Sequence, residues 1–261
     1  MGLKNRTIKI ANRFAAFAFS EKLPTYYNGN WLWLCRRCWA SLYLNYEPYM
    51  AAAIRSNLSR GGTFWDVGAN IGLFSLFAAR IVGPEGNIIS FEPSPEVFEL
   101  LSQNVGKCSG SIQALQFGIG NMDGPALLSA QGESTASSFV EDVVALSRHF
   151  HQNVPVRKTS VTMRKLDTLL KDLNLSPNLV KIDIEGFEVE AIKGADHLLD
   201  SIRPVLIIEI HPLQMNLSGT DEDELFQLLR KHRYGYEIID RNAANSLYSI
   251  VAKPMESKAR A

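Results

Sequence analysis

From residue 61 onward the chain alternates short apolar, β-rich runs with helical stretches, and that alternation restricts it to an α/β sheet. Thr63 to Val67 reads as a strand, Gly68 to Gly72 as a glycine-bearing turn, and Leu73 to Ile81 as a helix ended by Gly83-Pro84. Asn87 to Phe91 is a second strand. The turn Glu92-Pro93-Ser94-Pro95 follows, with Pro95 suited to the first position of a helix reaching Val105. Further strands are predicted at Ile112 to Phe117, Leu179 to Ile184 and Val205 to Ile210, with helices at Glu188 to Lys193 and Asp221 to His232. Tyr236 to Asp240 and Leu247 to Val251 read as a closing antiparallel pair. Residues 118–160 break the rhythm: Ala126 to Ala130 is a candidate strand, Gln131 to Ser138 reads as a polar loop, and a short strand starts at Val161.

Parallel strands joined by right-handed crossovers bring their carboxyl ends to one edge, where ligands bind. The predicted strands end at or beside Asp66, Glu92, Asp183 and Glu209, so each end carries a carboxylate. The turn Asp66-Val67-Gly68-Ala69-Asn70-Ile71-Gly72 follows a strand and opens a helix. Its glycines permit positive φ and close ligand approach. Asn70 occupies the position where the dinucleotide fingerprint requires glycine. Glu92, 24 positions after Gly68, is placed to accept hydrogen bonds from vicinal ribose hydroxyls. These features suit a nucleoside ligand that lacks a pyrophosphate.

The segments FWDVGANIGLFSLFAAR and IISFEPSPEVFELLSQNV resemble the first two motifs of S-adenosylmethionine-dependent methyltransferases. With LDTLL, VKIDIEGFEVEAIKGA and PVLIIEIHP, and with Tyr46-Glu47-Pro48 ahead of the turn, residues 46–251 resemble the FkbM methyltransferase family. The resemblance implies a Rossmann-like, doubly wound, mostly parallel seven-stranded sheet over residues 46–253. A helical and aromatic extension would precede it over 1–45, with a short tail at 254–261. It implies that Asp66, Gly68, Asn70 and Gly72 hold the methionine end of the cofactor, that Glu92 binds the ribose, and that Asn121 and Asp123, beside Gly120, lie near the adenine. Ser138 would face the cofactor, and Glu47 would close the site.

Transfer to a hydroxyl needs a general base or a metal, because a neutral hydroxyl is a poor nucleophile. His211 has a suitable unperturbed pKa for a base. Asp183 and Glu185 are the other catalytic candidates, and Asp183 and Glu209 are possible ligands of a divalent cation. Asp183 in an apolar strand is costly to bury without a partner. Lys181 is expected on the opposite face of its strand, and Asp167 reads as a helix N-cap. The expected reaction is O-methylation of a sugar, glycan or secondary metabolite. A nicotinamide-dependent oxidoreductase and a non-catalytic cofactor-binding module remain as alternatives. A nucleic-acid acceptor is not favoured, since no Asn/Asp-Pro-Pro-aromatic motif is present.

Composition bears on the compartment and the amino-terminal part. Three cysteines, Cys35, Cys38 and Cys108, give an odd count that suits a reducing, cytoplasmic setting, and the lone CxxC lacks the second pair a zinc site needs. The net charge of zero conceals an asymmetry: residues 1–60 carry nine Lys/Arg against two Asp/Glu. Leu3, Ile8, Ile10, Phe14 and Phe17 fit an amphipathic helix flanked by Lys4, Arg6, Lys9 and Arg13, expected to dock on the domain or to contact a membrane surface. The aromatic cluster from Tyr26 to Tyr43 is expected to line an acceptor pocket, to pack in the core or to form a homodimer contact.

Overall fold

The computed structural model describes residues 22–35, 46–106, 111–130, 137–139, 156–242 and 247–256. In chain order the elements are β1 (Lys22–Tyr27), β2 (Asn30–Cys35), α1 (Pro48–Asn57), β3 (Thr63–Val67), α2 (Leu73–Val82), β4 (Asn87–Phe91), α3 (Pro95–Val105), β5 (Ser111–Leu115), β6 (Gly118–Ile119), β7 (Gly124–Ala130), β8 (Ser137–Ser138), β9 (Arg157–Arg164), α4 (Leu166–Leu173), β10 (Leu179–Ile182), α5 (Glu188–Lys193), β11 (Val205–Ile210), α6 (Pro212–Leu217), α7 (Glu222–Lys231), β12 (Tyr234–Asn242) and β13 (Leu247–Pro254). A π-helical turn, Leu198–Ile202, precedes β11.

Seven strands form the main sheet in the order β12-β13-β11-β10-β3-β4-β5. The pairs among β11, β10, β3, β4 and β5 are parallel, and β13 runs antiparallel to both β11 and β12. Every residue of β3 and β10 is buried, as a parallel sheet covered on both faces requires. Alternation sends Trp65, Val67, Val180 and Ile182 into one apolar core and Phe64, Ile88, Leu179 and Ile207 into the other. Each such side chain contributes roughly 2 kcal/mol.

The helices follow local rules. Leu225 and Leu229 of α7 are buried, Asp221 accepts from the Glu224 N–H at 2.8 Å, and acids open the helix while Arg230 and Lys231 close it. Asp167 differs from the N-cap expected of it: it lies inside α4 and caps the π-helical turn instead, accepting from the N–H groups of His197 and Leu198 at 2.9 and 2.8 Å.

Two regions depart from the expectation. The segment after β5 forms a second sheet, β6-β9-β7-β8, in which β7 pairs along its whole length with β9. The described part of the amino-terminal extension, within its aromatic stretch, is a β-hairpin, β1–β2. It shares the core of the α/β domain: Tyr27 packs edge-on against Phe77 at 5.5 Å, and the Cys35 N–H donates to Asn104 Oδ1. The hairpin and the residues from 46 onward thus share one core. Tyr26, Trp31 and Trp33 face solvent on the outer side of the hairpin. The amphipathic segment near the start, Trp39, Tyr43, Cys38 and Cys108 lie outside the described residues. Among the described residues, no helix is long and apolar enough to cross a membrane.

Candidate active site

A cavity of about 370 Å³ opens at the carboxyl ends of β3, β4, β10 and β11. This is where the strand order reverses, with β4 on one side of β3 and β10 on the other.

On the β3–β4 side the backbone does the holding. The N–H groups of Gly68 and Ala69 both donate to the Phe91 carbonyl, at 3.0 and 2.9 Å, tying the turn to the end of β4. Gly68 has φ +75°, and a Cβ there would stand 1.9 Å from the Asp183 carbonyl oxygen. Only glycine fits that crossing. Asn70 adopts φ 51°, its Oδ1 accepts from the Ile71 N–H at 2.7 Å, and its own N–H donates to Glu92 Oε2 at 3.0 Å. The Ser94 N–H donates to Glu92 Oε1 at 2.9 Å. Glu92 is 5% exposed, and burial pushes its carboxyl up to about 7. Each of its oxygens keeps a lone pair free for a hydroxyl donor. The wall beside it is apolar, built from Phe117, Ile119, Leu128 and Phe139.

On the β10–β11 side ionisable side chains face one another. His211 is 2% exposed, and its Nδ1 lies 2.9 Å from Oε1 of the wholly buried Glu188. Its Nε2 faces Glu185 Oε2 at 3.7 Å, Asp183 Oδ1 at 3.8 Å and Glu209 Oε2 at 3.9 Å. Burial alone would lower the imidazole pKa, but Glu188, Glu185 and Asp183 outweigh it and hold the ring well above the ordinary histidine value. Burial likewise opposes ionisation of Asp183, yet the Lys181 and His211 charges reverse this and keep its pKa below the usual carboxylate range. Burial, and then the Asp183 charge, push both Glu209 and Glu47 upward. Glu47 Oε2 is buried without a hydrogen-bond partner. Three non-glycine residues that line the cavity, Glu47, Asn70 and Glu185, have positive φ.

Lys181 was expected to point away from Asp183, and the structure corrects this. Residues two apart on a strand share a face. Lys181 Nζ lies 3.0 Å from Asp183 Oδ2, 3.5 Å from Asp66 Oδ1 and 3.3 Å from the Gly68 carbonyl oxygen, with its side chain 1% exposed.

Of the residues singled out in the sequence, Glu47, Gly68, Asn70, Glu92, Asp183, Glu185 and His211 line the cavity together, and Glu209 joins them. Asp66 and Gly72 stand behind the turn. Asp66 is wholly buried and accepts from the Ser75 hydroxyl at 2.6 Å, while Gly72, at φ +85°, caps α2. Neither meets the cavity, so direct contact with the methionine end does not follow from their positions. Ser138 is buried, with its hydroxyl 3.4 Å from the Glu185 carbonyl oxygen. Asn121 and Asp123 are exposed and lie outside the cavity. Asp123 instead pins β9 to α4 by accepting from Arg164 Nε, the Lys165 N–H and the Thr168 hydroxyl at 3.0, 3.1 and 2.7 Å. Sequence reasoning missed Glu188, Asp240 and Tyr248. A carboxylate at the first position of a helix reads as a dipole partner, and nothing local marks it as the support of a histidine 23 residues on.

Residues 66–238 match the family model described as the Methyltransferase FkbM domain. The chain is 29% identical over 186 residues to the hexuronic acid methyltransferase AglP of Haloferax volcanii, covering 68% of this chain and 65% of that protein. It is 32% identical over 143 residues to Methyltransferase 1 of Beauveria bassiana, covering 50% of this chain and 57% of that protein. The matched region thus spans less than two thirds of either relative. Among solved structures, Methyltransferase FkbM from Methylobacillus flagellatus superposes with a TM-score of 0.50 at 16% identity, over 83% of this chain and 54% of that one, which shows the shared fold. The glycine turn, the buried Glu92 and the acidic ends of β10 and β11 therefore sit within a domain of known kind: this chain belongs to the FkbM methyltransferase family.

Proposed function

We propose that this protein transfers a methyl group from S-adenosylmethionine to a hydroxyl of a sugar or glycan, with hexuronic acids as the first acceptors to test. One observation carries the reading. Glu92 is buried, fixed by two backbone N–H groups and left with free acceptor capacity beside a glycine turn at the strand crossover. A vicinal diol on a nucleoside satisfies that capacity, and the Phe117–Phe139 wall suits the attached base. Glu47, with an unpartnered buried oxygen, suits the α-ammonium of the same ligand. The cofactor, when bound, supplies an electrophilic methyl on a sulfonium.

The acceptor side is built from β10 and β11. Glu185, held on a left-handed backbone at the cavity wall, takes the hydroxyl proton. Asp183, kept ionised by Lys181, orients the hydroxyl. His211, clamped by Glu188, fixes the far wall. The hexuronic acid choice rests on the likeness to AglP.

Calorimetric titration with S-adenosylhomocysteine tests the donor half. The wild-type chain binds, and Glu92→Ala loses about 100-fold, as expected from removing two charge-assisted hydrogen bonds. No binding by the wild type would overturn the reading. Incubation with S-adenosylmethionine and a hexuronic acid glycan, followed by mass spectrometry, tests the acceptor half. A gain of one methyl is expected, and Glu185→Gln slows it by about 100-fold or more.

A further inference from the structure

Three donors of metal-ligating type converge at the acceptor end of the cavity: one oxygen each from Asp183 and Glu209 and the Nε2 of His211, all within 4.8 Å of one another. A group of carboxylates alone would say little. The second observation is the histidine. His211 is 2% exposed, and its Nδ1 side is occupied by Glu188 Oε1, which also accepts from the Gly186 N–H at 3.1 Å. Its Nε2 points among the carboxylate oxygens at 3.7, 3.8 and 3.9 Å, each beyond a direct hydrogen bond. A buried imidazole clamped by a carboxylate on one nitrogen, with the other aimed at further acidic oxygens, is the arrangement that orients a metal-bound histidine. Asp183 divides its oxygens in the same sense: Oδ2 meets Lys181 at 3.0 Å and Oδ1 turns to His211.

We propose that Asp183, Glu209 and His211 bind a divalent cation of the Mg²⁺/Mn²⁺ class, whose remaining positions hold two adjacent oxygens of the methyl acceptor. This rests on the methyl-transfer reading above and narrows its acceptor to molecules with a chelating oxygen pair, such as a vicinal diol or a hydroxyl beside a carboxylate. Two hard carboxylate oxygens suit this class of ion, the single imidazole favours Mn²⁺ within it, and three protein ligands leave half of an octahedral shell open. The cation lowers the pKa of the bound hydroxyl. Its proton passes to Glu185, the oxygen lone pair forms the new bond to the methyl carbon, and the carbon–sulfur bond breaks with its electrons returning to sulfur, so no oxidant or reductant is needed.

The test uses the full chain, stripped with EDTA and titrated with Mn²⁺ alone, free Mn²⁺ being followed by electron paramagnetic resonance. One Mn²⁺ per chain is expected. Glu209→Gln and Asp183→Asn should each weaken binding at least about ten-fold. Asp196→Asn, at an exposed acid paired with Lys231, should leave it unchanged. Circular dichroism checks each fold, and if Asp183→Asn misfolds, Glu209→Gln decides. No uptake by the wild type, full retention by Glu209→Gln, or an equal loss in Asp196→Asn would each overturn the proposal. A parallel titration with S-adenosylhomocysteine in EDTA separates the two readings. Cofactor binding without Mn²⁺ uptake removes the cation site and leaves methyl transfer standing, whereas loss of both removes the methyl-transfer reading with it.

Discussion

The two sides of the cavity hold their carboxylates in opposite ways. At the ends of β3 and β4, Glu92 is fixed by main-chain N–H groups, and the turn beside it admits no side chain at Gly68. At the ends of β10 and β11 side chains do the holding: Glu188 clamps His211, Lys181 pairs with Asp183, and His211 faces Glu185, Asp183 and Glu209 at 3.7, 3.8 and 3.9 Å. Backbone donors do not themselves titrate. Mutually dependent ionisable groups give a charge that responds to whatever arrives. The first arrangement suits an invariant cofactor, and the second suits chemistry in which a proton leaves.

Substitutions can break this contrast or sharpen it. The largest loss is expected from Lys181→Met, which leaves Asp66 and Asp183 without their shared counter-charge and costs about 4 kcal/mol by denaturant unfolding. A loss below about 1 kcal/mol would mean that the β10–β11 side does not depend on that charge. Gly68→Ala should cost about 3 kcal/mol, combining a left-handed alanine with a clash against the Asp183 carbonyl, and should abolish S-adenosylhomocysteine binding by calorimetry.

An effect of similar size concerns pH. Burial raises Glu92 from 4.5 to about 7, so the native state takes up a proton between those values and stability falls as pH rises through that window. The full contribution is about 3 kcal/mol. Unfolding free energies measured across the same window should therefore decline less steeply for Glu92→Gln than for the wild type, and equal slopes would contradict the assignment. The smallest effect is expected from Asp123→Ala: a loss of about 1 kcal/mol in stability with unchanged S-adenosylhomocysteine affinity. A ten-fold weaker affinity would return Asp123 to the cofactor.

What could be read from the sequence follows the same division. The parallel strands, the glycine turn and the acids at the strand ends are local patterns, and the cavity gathers Glu92, Asp183 and Glu209 as their positions imply, while Asp66 stays buried behind the turn. Contacts between distant segments were not legible. The support of His211 by Glu188 requires α5 and the end of β11 to meet, which no spacing announces. Asp123 carries a turn signal, and only the pairing of β7 with β9 shows that it faces Arg164 and Thr168 rather than the cavity. The amino-terminal hairpin carries a legible signal that went unused: Asn28-Gly29, both at positive φ, form the two-residue turn between β1 and β2, and Tyr27 and Leu34 fix the strands by entering a core built elsewhere. Lys181 was legible and misread, since a two-residue offset already places it beside Asp183.

Lys181 touches the carbonyl of Gly68 on one side of the crossover and the carboxylate of Asp183 on the other. One ammonium is thus common property of both ligand seats. A positive guest that draws Asp183 toward itself leaves more of that ammonium's attraction for Asp66 and the glycine turn. A change of charge at the end of β10 would therefore be felt at the end of β3 through one buried side chain, with no moving part required.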